Sequence, residues 1–199
     1  ETLRILFATG NLNKIHEAKA ILEPLGHTVE GLIIDGNRPE FIEPKELGLE
    51  HVAESKIEQA LALIVGTEFE GSSILVEDSG IFIDDFDEWP GANSSDIEDE
   101  LGLDGILKLM VNSELRGAEY RAVAILSNGN DEWKSIGICR GELAMKIRGT
   151  NGFGYDPIFI PKSGDGRTYA EMKKGEKDMT SHRAKAMMRL VESLRAPAK

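Results

Sequence analysis

The sequence predicts an α/β fold, a β-sheet flanked by helices, in a single domain spanning residues 1–199. Three observations carry that expectation. The chain opens with a strand-like run, residues 4–9 (RILFAT), followed by a Gly10-Asn11 break and a helix-periodic stretch. A second apolar run, Ile74, Leu75 and Val76, delivers two adjacent carboxylates, Glu77 and Asp78, into what reads as a Ser79-Gly80 turn. Residues 121–127 and 132–148 are strand-like on either side of Asn128-Gly129-Asn130, a hairpin signal. No repeat, low-complexity tract or linker divides these segments, so strands and helices must share a core.

The 199 residues suffice for one large domain with a substantial core, with room for two lobes sharing the sheet. Hydrophobic content of 41% and charged content of 29% are ordinary for a globular protein; no apolar run approaches a membrane span, and no stretch reads as a signal peptide. The formal net charge of -12 argues against a sequence-independent nucleic-acid binder, which needs an extended basic face. An anionic ligand would have to be met locally, by a metal ion, a few lysines or backbone amides. Cys139, beside Ile138, is the single cysteine. It excludes a disulfide framework and a cysteine zinc site, and suits a buried thiol in the reducing cytoplasm.

Along the chain, the first helix runs from the Gly10-Asn11 break to about Leu25 and closes at Gly26, with Ile15, Ala18, Ile21, Leu22 and Leu25 as its apolar face. Strand, glycine turn and helix together leave backbone N–H groups at a helix start, an anion site, and Lys14 adds a positive charge one turn in. No Walker loop occurs, and a Gly-Asn turn is more often only a cap. Residues 28–34 read as a second strand, and residues 35–48 as an acidic loop carrying Gly36, Pro39 and Pro44. Within it, Glu40 or Glu43 could face solvent or reach the Glu77 and Asp78 site. Residues 49–65 form a helix whose inner stripe is Val52, Ala53, Ile57, Ala60, Leu61 and Ile64, with Lys56 alongside, either snorkelling or reaching a phosphate. Glu77 and Asp78 stand where a strand ends, and paired carboxylates suit Mg²⁺, which takes few protein oxygens and completes its shell with water and substrate phosphate. A polar strand end is the plainer alternative. Pro90-Gly91 stops the following run, residues 93–100 read as a mobile loop, and residues 103–111 as a short helix.

Residues 149–157 pack three glycines around Phe153, Tyr155 and Asp156 before the strand-like Ile158-Phe159-Ile160. The spacing fails the dinucleotide fingerprint. It suits a flexible backbone presenting an aromatic face with a carboxylate acceptor beside it, a way to hold a purine; inward-packed aromatics are the alternative. The last helix is capped by Thr180 or Ser181 and presents Ala184, Met187, Met188, Val191 and Leu194 to the core. His182 and Arg183 fall in its first turn, where cations oppose the helix dipole, a placement that ligand duty would explain. His16, His27 and His51 read as surface residues, and no HExxH zinc motif occurs.

Taken together, TGNxxK at residues 9–14, VEDSG at 76–80, GFGYDPIF at 152–159 and EKxxxSHR at 176–183 resemble the Ham1/RdgB family of inosine and xanthosine triphosphate pyrophosphatases. The resemblance spans nearly the whole chain, with the motifs in family order. It implies an elongated mixed sheet in two lobes with the nucleotide in the cleft between them, a homodimer, and Mg²⁺ as cofactor. It implies further that Thr9, Gly10, Asn11 and Lys14 hold the triphosphate, with Lys56 as a phosphate contact. Asp78 would be metal ligand and catalytic acceptor, Glu40 and Glu77 further metal ligands, and Ser79 a nucleotide contact. Phe153 would stack on the base, with Gly154, Tyr155 and Asp156 lining the base and sugar pocket and Lys177, His182 and Arg183 reading the purine edge. Asn93 departs from the family, standing where a tyrosine is frequent. The implied reaction cleaves the α–β anhydride of ITP, dITP or XTP. A metal-dependent phosphatase or nucleotidyltransferase and a nonhydrolysing sensor are the rivals, whereas a Nudix hydrolase is disfavoured because its glutamate-rich helix is absent.

Overall fold

A computed structural model describes residues 1–195, so the expected domain end at residue 199 lies outside the described residues. Six strands form one sheet in the order β2-β1-β3-β4-β5-β6. They are β1 (Arg4–Phe7), β2 (Thr28–Gly31), β3 (Ser73–Ile83), β4 (Gly117–Ser127), β5 (Glu132–Leu143) and β6 (Phe159–Pro161). The helices are α1 (Leu12–Leu22), α2 (Leu49–Ile64), α3 (Ser94–Leu109), α4 (Lys174–Asp178) and α5 (His182–Arg195). β1 pairs in parallel with β2 and β3, and the remaining pairings are antiparallel, so the sheet is mixed as expected. No described helix is long and apolar enough to cross a membrane.

Strand alternation sorts the core onto the two faces of the sheet. Ile5, Phe7, Leu75, Ala122 and Ala124 point to one face, where α1 and α5 cover them with Ile15, Ala18, Met187, Leu190 and Val191. Leu6, Ile74, Val76, Val123 and Ile125 point to the other, under Ala53, Ile57, Ala60 and Ile64 of α2. A third cluster lies at the far end of the long strands, where Ile81, Ile83, Tyr120 and Cys139 meet Ile106, Tyr155, Phe159 and Tyr169.

The site is created by a mismatch in strand length. β1 partners β3 only from Ser73 to Leu75, while β3 continues to Ile83 along β4. Beyond the end of β1 one edge of β3 is therefore left without a strand from Glu77 to Gly80, until Ser94 Oγ takes the Ile81 N–H and Pro90 bridges Phe82. That edge lies beyond the carboxyl end of a parallel strand, the usual crevice of helix-flanked sheets.

Several sequence expectations are corrected here. Ser79-Gly80 is not a turn; β3 runs straight through it. Gly80 is required for close approach instead, since a Cβ there would stand 2.1 Å from the Gly91 carbonyl oxygen. Residues 94–100 are helical, because the Ser94 hydroxyl is buried between the Ile81 N–H and the Gly91 carbonyl, anchoring the start of α3. The helix expected at 103–111 is its continuation past Gly102, where the backbone leaves helical values (φ 68°). His27 is buried and accepts the Leu3 N–H, and Met188 is exposed whereas Met187 is core. Ser181 is the α5 cap, its Oγ accepting from Ala184 N at 3.0 Å.

α5 docks on β5 so closely that a Cβ on Gly137 would lie 2.0 Å from the His182 carbonyl oxygen and 2.5 Å from Ala186 N. Gly137→Ala must therefore push away the turn that carries His182 and Arg183. An overpacking loss of about 1–3 kcal/mol is expected in urea unfolding, together with a fall in ligand affinity; a variant as stable as wild type would show that the helix is not seated on the strand.

Candidate active site

A cavity of about 360 Å³ opens at the bare edge of β3. Thr9, Gly10, Asn11 and Lys14 line it from the β1–α1 turn, Lys56 from α2, Asp78 and Ser79 from β3, Phe153, Gly154, Tyr155 and Asp156 from the glycine loop, and Lys177, His182 and Arg183 from the last two helices. Residues spread over the whole chain are thus brought to one enclosure of a size that takes a small ligand. Glu40 and Glu77 are the two sequence candidates that do not line it.

The turn after β1 is built by side chains: Thr9 Oγ1 accepts the Asn11 N–H at 3.1 Å, and Asn11 Oδ1 caps α1 by accepting from Asn13 N and Lys14 N. This capping sets Lys14 one turn into the helix, its Nζ 3.1 Å from Glu77 Oε1. Burial, opposed by Glu77 but reinforced by Lys56 and Arg183, lowers the Lys14 pKa, which marks an ammonium short of negative charge.

Glu77 and Asp78 are adjacent in a strand and therefore point to opposite faces. Asp78 faces α2. Lys56 Nζ reaches Asp78 Oδ1 at 3.2 Å, Glu43 Oε1 at 2.9 Å and the bare-edge carbonyl of Glu77 at 3.4 Å. Burial would lower the Lys56 pKa, but Asp78 and Glu43 raise it, so it stays protonated. Asp78 Oδ2 is buried without a hydrogen-bond partner, and burial pushes its carboxyl up against the opposing pull of Lys56 and Lys14. An orphaned, destabilised carboxylate oxygen in a cavity is what a cation or an attacking water would satisfy.

Two corrections to the expected metal set follow. Glu40 is exposed and outside the cavity; Glu43, three residues on, turns its carboxylate inward to Lys56. Glu77 faces the α1 and α5 side, with Oε1 taken by Lys14 and Oε2 by Arg183, so it does not join Asp78 around a cation. Among the described residues no group of three or more His, Cys, Asp or Glu side chains is poised to hold a metal. Glu43 and Asp78, across one lysine, fit the one or two carboxylates that Mg²⁺ takes when phosphates complete its shell.

The opposite end is organised by buried ion pairs. Arg183 binds Glu77 through Nε, Glu17 through Nη1 and Ser79 Oγ through Nη2, the last at 3.0 Å. Lys177 Nζ spans Glu17 Oε1 at 2.8 Å and Asp156 Oδ2 at 2.7 Å, leaving one of its N–H donors to the cavity. Asp156 also accepts from Phe153 N at 3.0 Å and Tyr120 Oη at 3.3 Å. Its oxygens hold Lys177 and the glycine loop in place at the cavity wall. Tyr155 is likewise anchored, donating to the Ser94 carbonyl at 2.6 Å. Phe153 is half-buried, with Lys177 Nζ 4.7 Å and Arg183 Cζ 5.7 Å from its ring centroid. The His182 ring stacks on Tyr120 at 4.4 Å, and burial, with Arg183 beside it, lowers its pKa well below normal. It is a neutral imidazole whose Nδ1 lacks a partner.

Sequence reasoning missed Glu17, Glu98 and Tyr120. Glu17 could have been found, since Lys14, Glu17, Ala18 and Ile21 share one helical face and an acid in an apolar stripe needs a partner. Glu98 reaches the cavity from a helix taken for a loop. Tyr120 has no local signal.

The chain resembles known proteins over its length. The pattern of the Ham1 family matches residues 5–193. A protein of Methanopyrus kandleri named dITP/XTP pyrophosphatase is 40% identical over 191 residues, covering 96% of this chain and 95% of its own. One of Pyrococcus horikoshii, with the same name, is 35% identical over 197 residues, covering 99% and 100%. Among solved structures, a HAM1 protein from Coxiella burnetii superposes with a TM-score of 0.78 at 29% identity, covering 96% of this chain and 98% of that one. The Staphylococcus aureus Ham1 protein gives 0.76 at 28%, covering 98% of each.

The arginine network predicts a pH signature. Burial would raise the pKa of Glu17 and Glu77, but Arg183, with Lys177 or Lys14, overrides it and holds both below 4.5. Their contribution to stability is therefore present above pH 4.5 and lost as the pH falls through the depressed folded values. Arg183→Met should cost about 3–5 kcal/mol at pH 7, by leaving two buried carboxylates uncompensated. Urea unfolding between about pH 3 and pH 7 should show that loss shrinking towards acid, and a pH-independent loss would mean the pairs contribute only packing.

Proposed function

Since the chain belongs to the Ham1 family, we propose that its cavity hydrolyses non-canonical purine nucleoside triphosphates, dITP, ITP and XTP, to the monophosphate and pyrophosphate. The observation that carries this reading is the single enclosure with a carboxylate and lysines at one end and an aromatic ring with cationic donors at the other. A triphosphate enters the cation-rich end lined by Lys14 and Lys56, and a purine lies against Phe153. The cleft between the core under α1, α2 and α5 and the core at the far end of the strands is the gap between two lobes in this reading, which also carries a cytoplasmic homodimer.

Asp78 and Glu43 would hold Mg²⁺, which supplies charge neutralisation of the phosphates and orientation of water. Asp78 takes the proton of the water that attacks the α-phosphorus, a role suited to a buried carboxylate of raised basicity. The α–β bridging bond breaks, and the pyrophosphate departs against Lys14 and Lys56, whose charges stabilise it. At the base end, the remaining Lys177 donor and the guanidinium of Arg183 suit a 6-oxo group. A 6-amino group would face donors and leave them unpaired. Neutral His182 offers a donor or an acceptor to the same edge.

Asp78→Asn should lower kcat by roughly 10²–10⁴-fold with the fold intact by circular dichroism, and chelation of Mg²⁺ should abolish turnover. Phe153→Ala should raise KM for dITP by about tenfold or more, the worth of one base stack. Product separation after incubation with ITP and Mg²⁺ decides the reaction: IMP with pyrophosphate is expected, and IDP with orthophosphate would overturn the assignment.

A further inference from the structure

Lys45 lies on the cavity wall beside the groups just described, and its bonding differs from theirs. It follows Glu43-Pro44 in a short 3-10 turn, Lys45–Leu47. Its Nζ is 2.7 Å from Asp96 Oδ2, on the first turn of α3, and 3.6 Å from Glu43 Oε2. The other Glu43 oxygen is the one that meets Lys56. One inward-turned carboxylate therefore sets two ammonium groups side by side at the phosphate end. The partners of the cavity lysines are not equivalent. Lys14 is held by fully buried Glu77 and Lys56 by Asp78, whose side chain is 10% exposed. Asp96 is 58% exposed, so its pair with Lys45 is screened and weak, the kind an incoming anion can replace. On a nucleoside triphosphate the terminal phosphate has the greatest charge and lies farthest from the base. With the scissile bond at Asp78, Lys45 belongs to the same charge cluster, since it shares Glu43 with the Lys56 that grips Asp78.

The geometry points to Lys45 as a clamp for the substrate's terminal phosphate, paired with Asp96 until that phosphate arrives and then exchanged from carboxylate to phosphate. This rests on reading the cavity as a triphosphate site. Lys45 lies beyond the bond that breaks, so it holds ground state and transition state alike and acts on KM rather than kcat. Pyrophosphate, which keeps the same two phosphates after cleavage, is held by the same clamp. Asp96 competes with both.

The test uses the full chain, steady-state turnover of dITP, and calorimetric titration of inorganic pyrophosphate with Mg²⁺. Lys45→Gln should raise both KM and the pyrophosphate Kd by about tenfold with kcat little changed, as for loss of one charged hydrogen bond, and Lys45→Arg should restore most of the affinity. Asp96→Asn should lower both constants by about threefold, and should do nothing in the Lys45→Gln background, where there is no competition to relieve. An unaltered pyrophosphate Kd in Lys45→Gln, a fall in kcat at constant KM, an Asp96→Asn effect that persists without Lys45, or a wild-type protein that does not bind pyrophosphate would each overturn the clamp. The hydrolase reading fails separately, if dITP is not turned over, and the pyrophosphate titrations still decide the role of Lys45 in that event.

Discussion

The structure depends on one buried guanidinium. Arg183, 1% exposed, ties Glu17 of α1 to Glu77 of β3 and reaches Ser79, so that two helices and the central strand are fixed relative to one another by charge as well as by apolar packing. Buried charges are tolerated only when paired and hydrogen-bonded. Lys177 and Asp156 extend the same chain of contacts to the glycine loop. Phe153 consequently takes its place through a sequence of ion pairs that starts at α1. Such a network gives modest net stability, but it allows few alternative arrangements.

The ends of the cavity are made differently. At the phosphate end the sheet simply stops: β1 is short, β3 is long, and Lys56 from α2 satisfies the exposed Glu77 carbonyl while gripping Asp78 and Glu43. At the base end no strand edge is involved, and loops are held by carboxylates that face inward. The first end is rich in ammonium groups with carboxylates between them, a balance that an added anion would shift. The second is closely satisfied beforehand, which suits recognition of a neutral ring by shape and by a few remaining donors.

Much of this was legible in the sequence because the chemistry sits at element ends, where residue type is least disguised by packing. Lys14 after Gly10-Asn11, Asp78 after an apolar run, Phe153 among glycines and Arg183 at a helix start each stand out against their local background, and all line the cavity. The α/β class followed from the same punctuation, whereas the strand order did not, since pairing between distant strands leaves no local mark in the sequence. Other features were hidden by the same local view. Ser79-Gly80 looks like a turn but is strand, because Gly80 answers to the Gly91 backbone far along the chain. Glu40 and Glu43 are equivalent on paper, and only the path of the loop past Lys56 separates them. Glu77 and Asp78 look like a pair until strand alternation sends them to opposite faces. Glu17 was obscured by the apolar residues around it, although its position among them was itself the clue.

The bare stretch of β3 has a further consequence. Unpaired strand edges invite other chains to add to the sheet, and proteins commonly blunt them with lysine or cover. Here the gap between Leu75 and Ile81 is short, closed at one end by β1 and at the other by Ser94, and a lysine already occupies its carbonyl. A foreign segment would find too few rungs to grip, so this stretch of β3 is unsuited to seeding self-association even though no strand covers it.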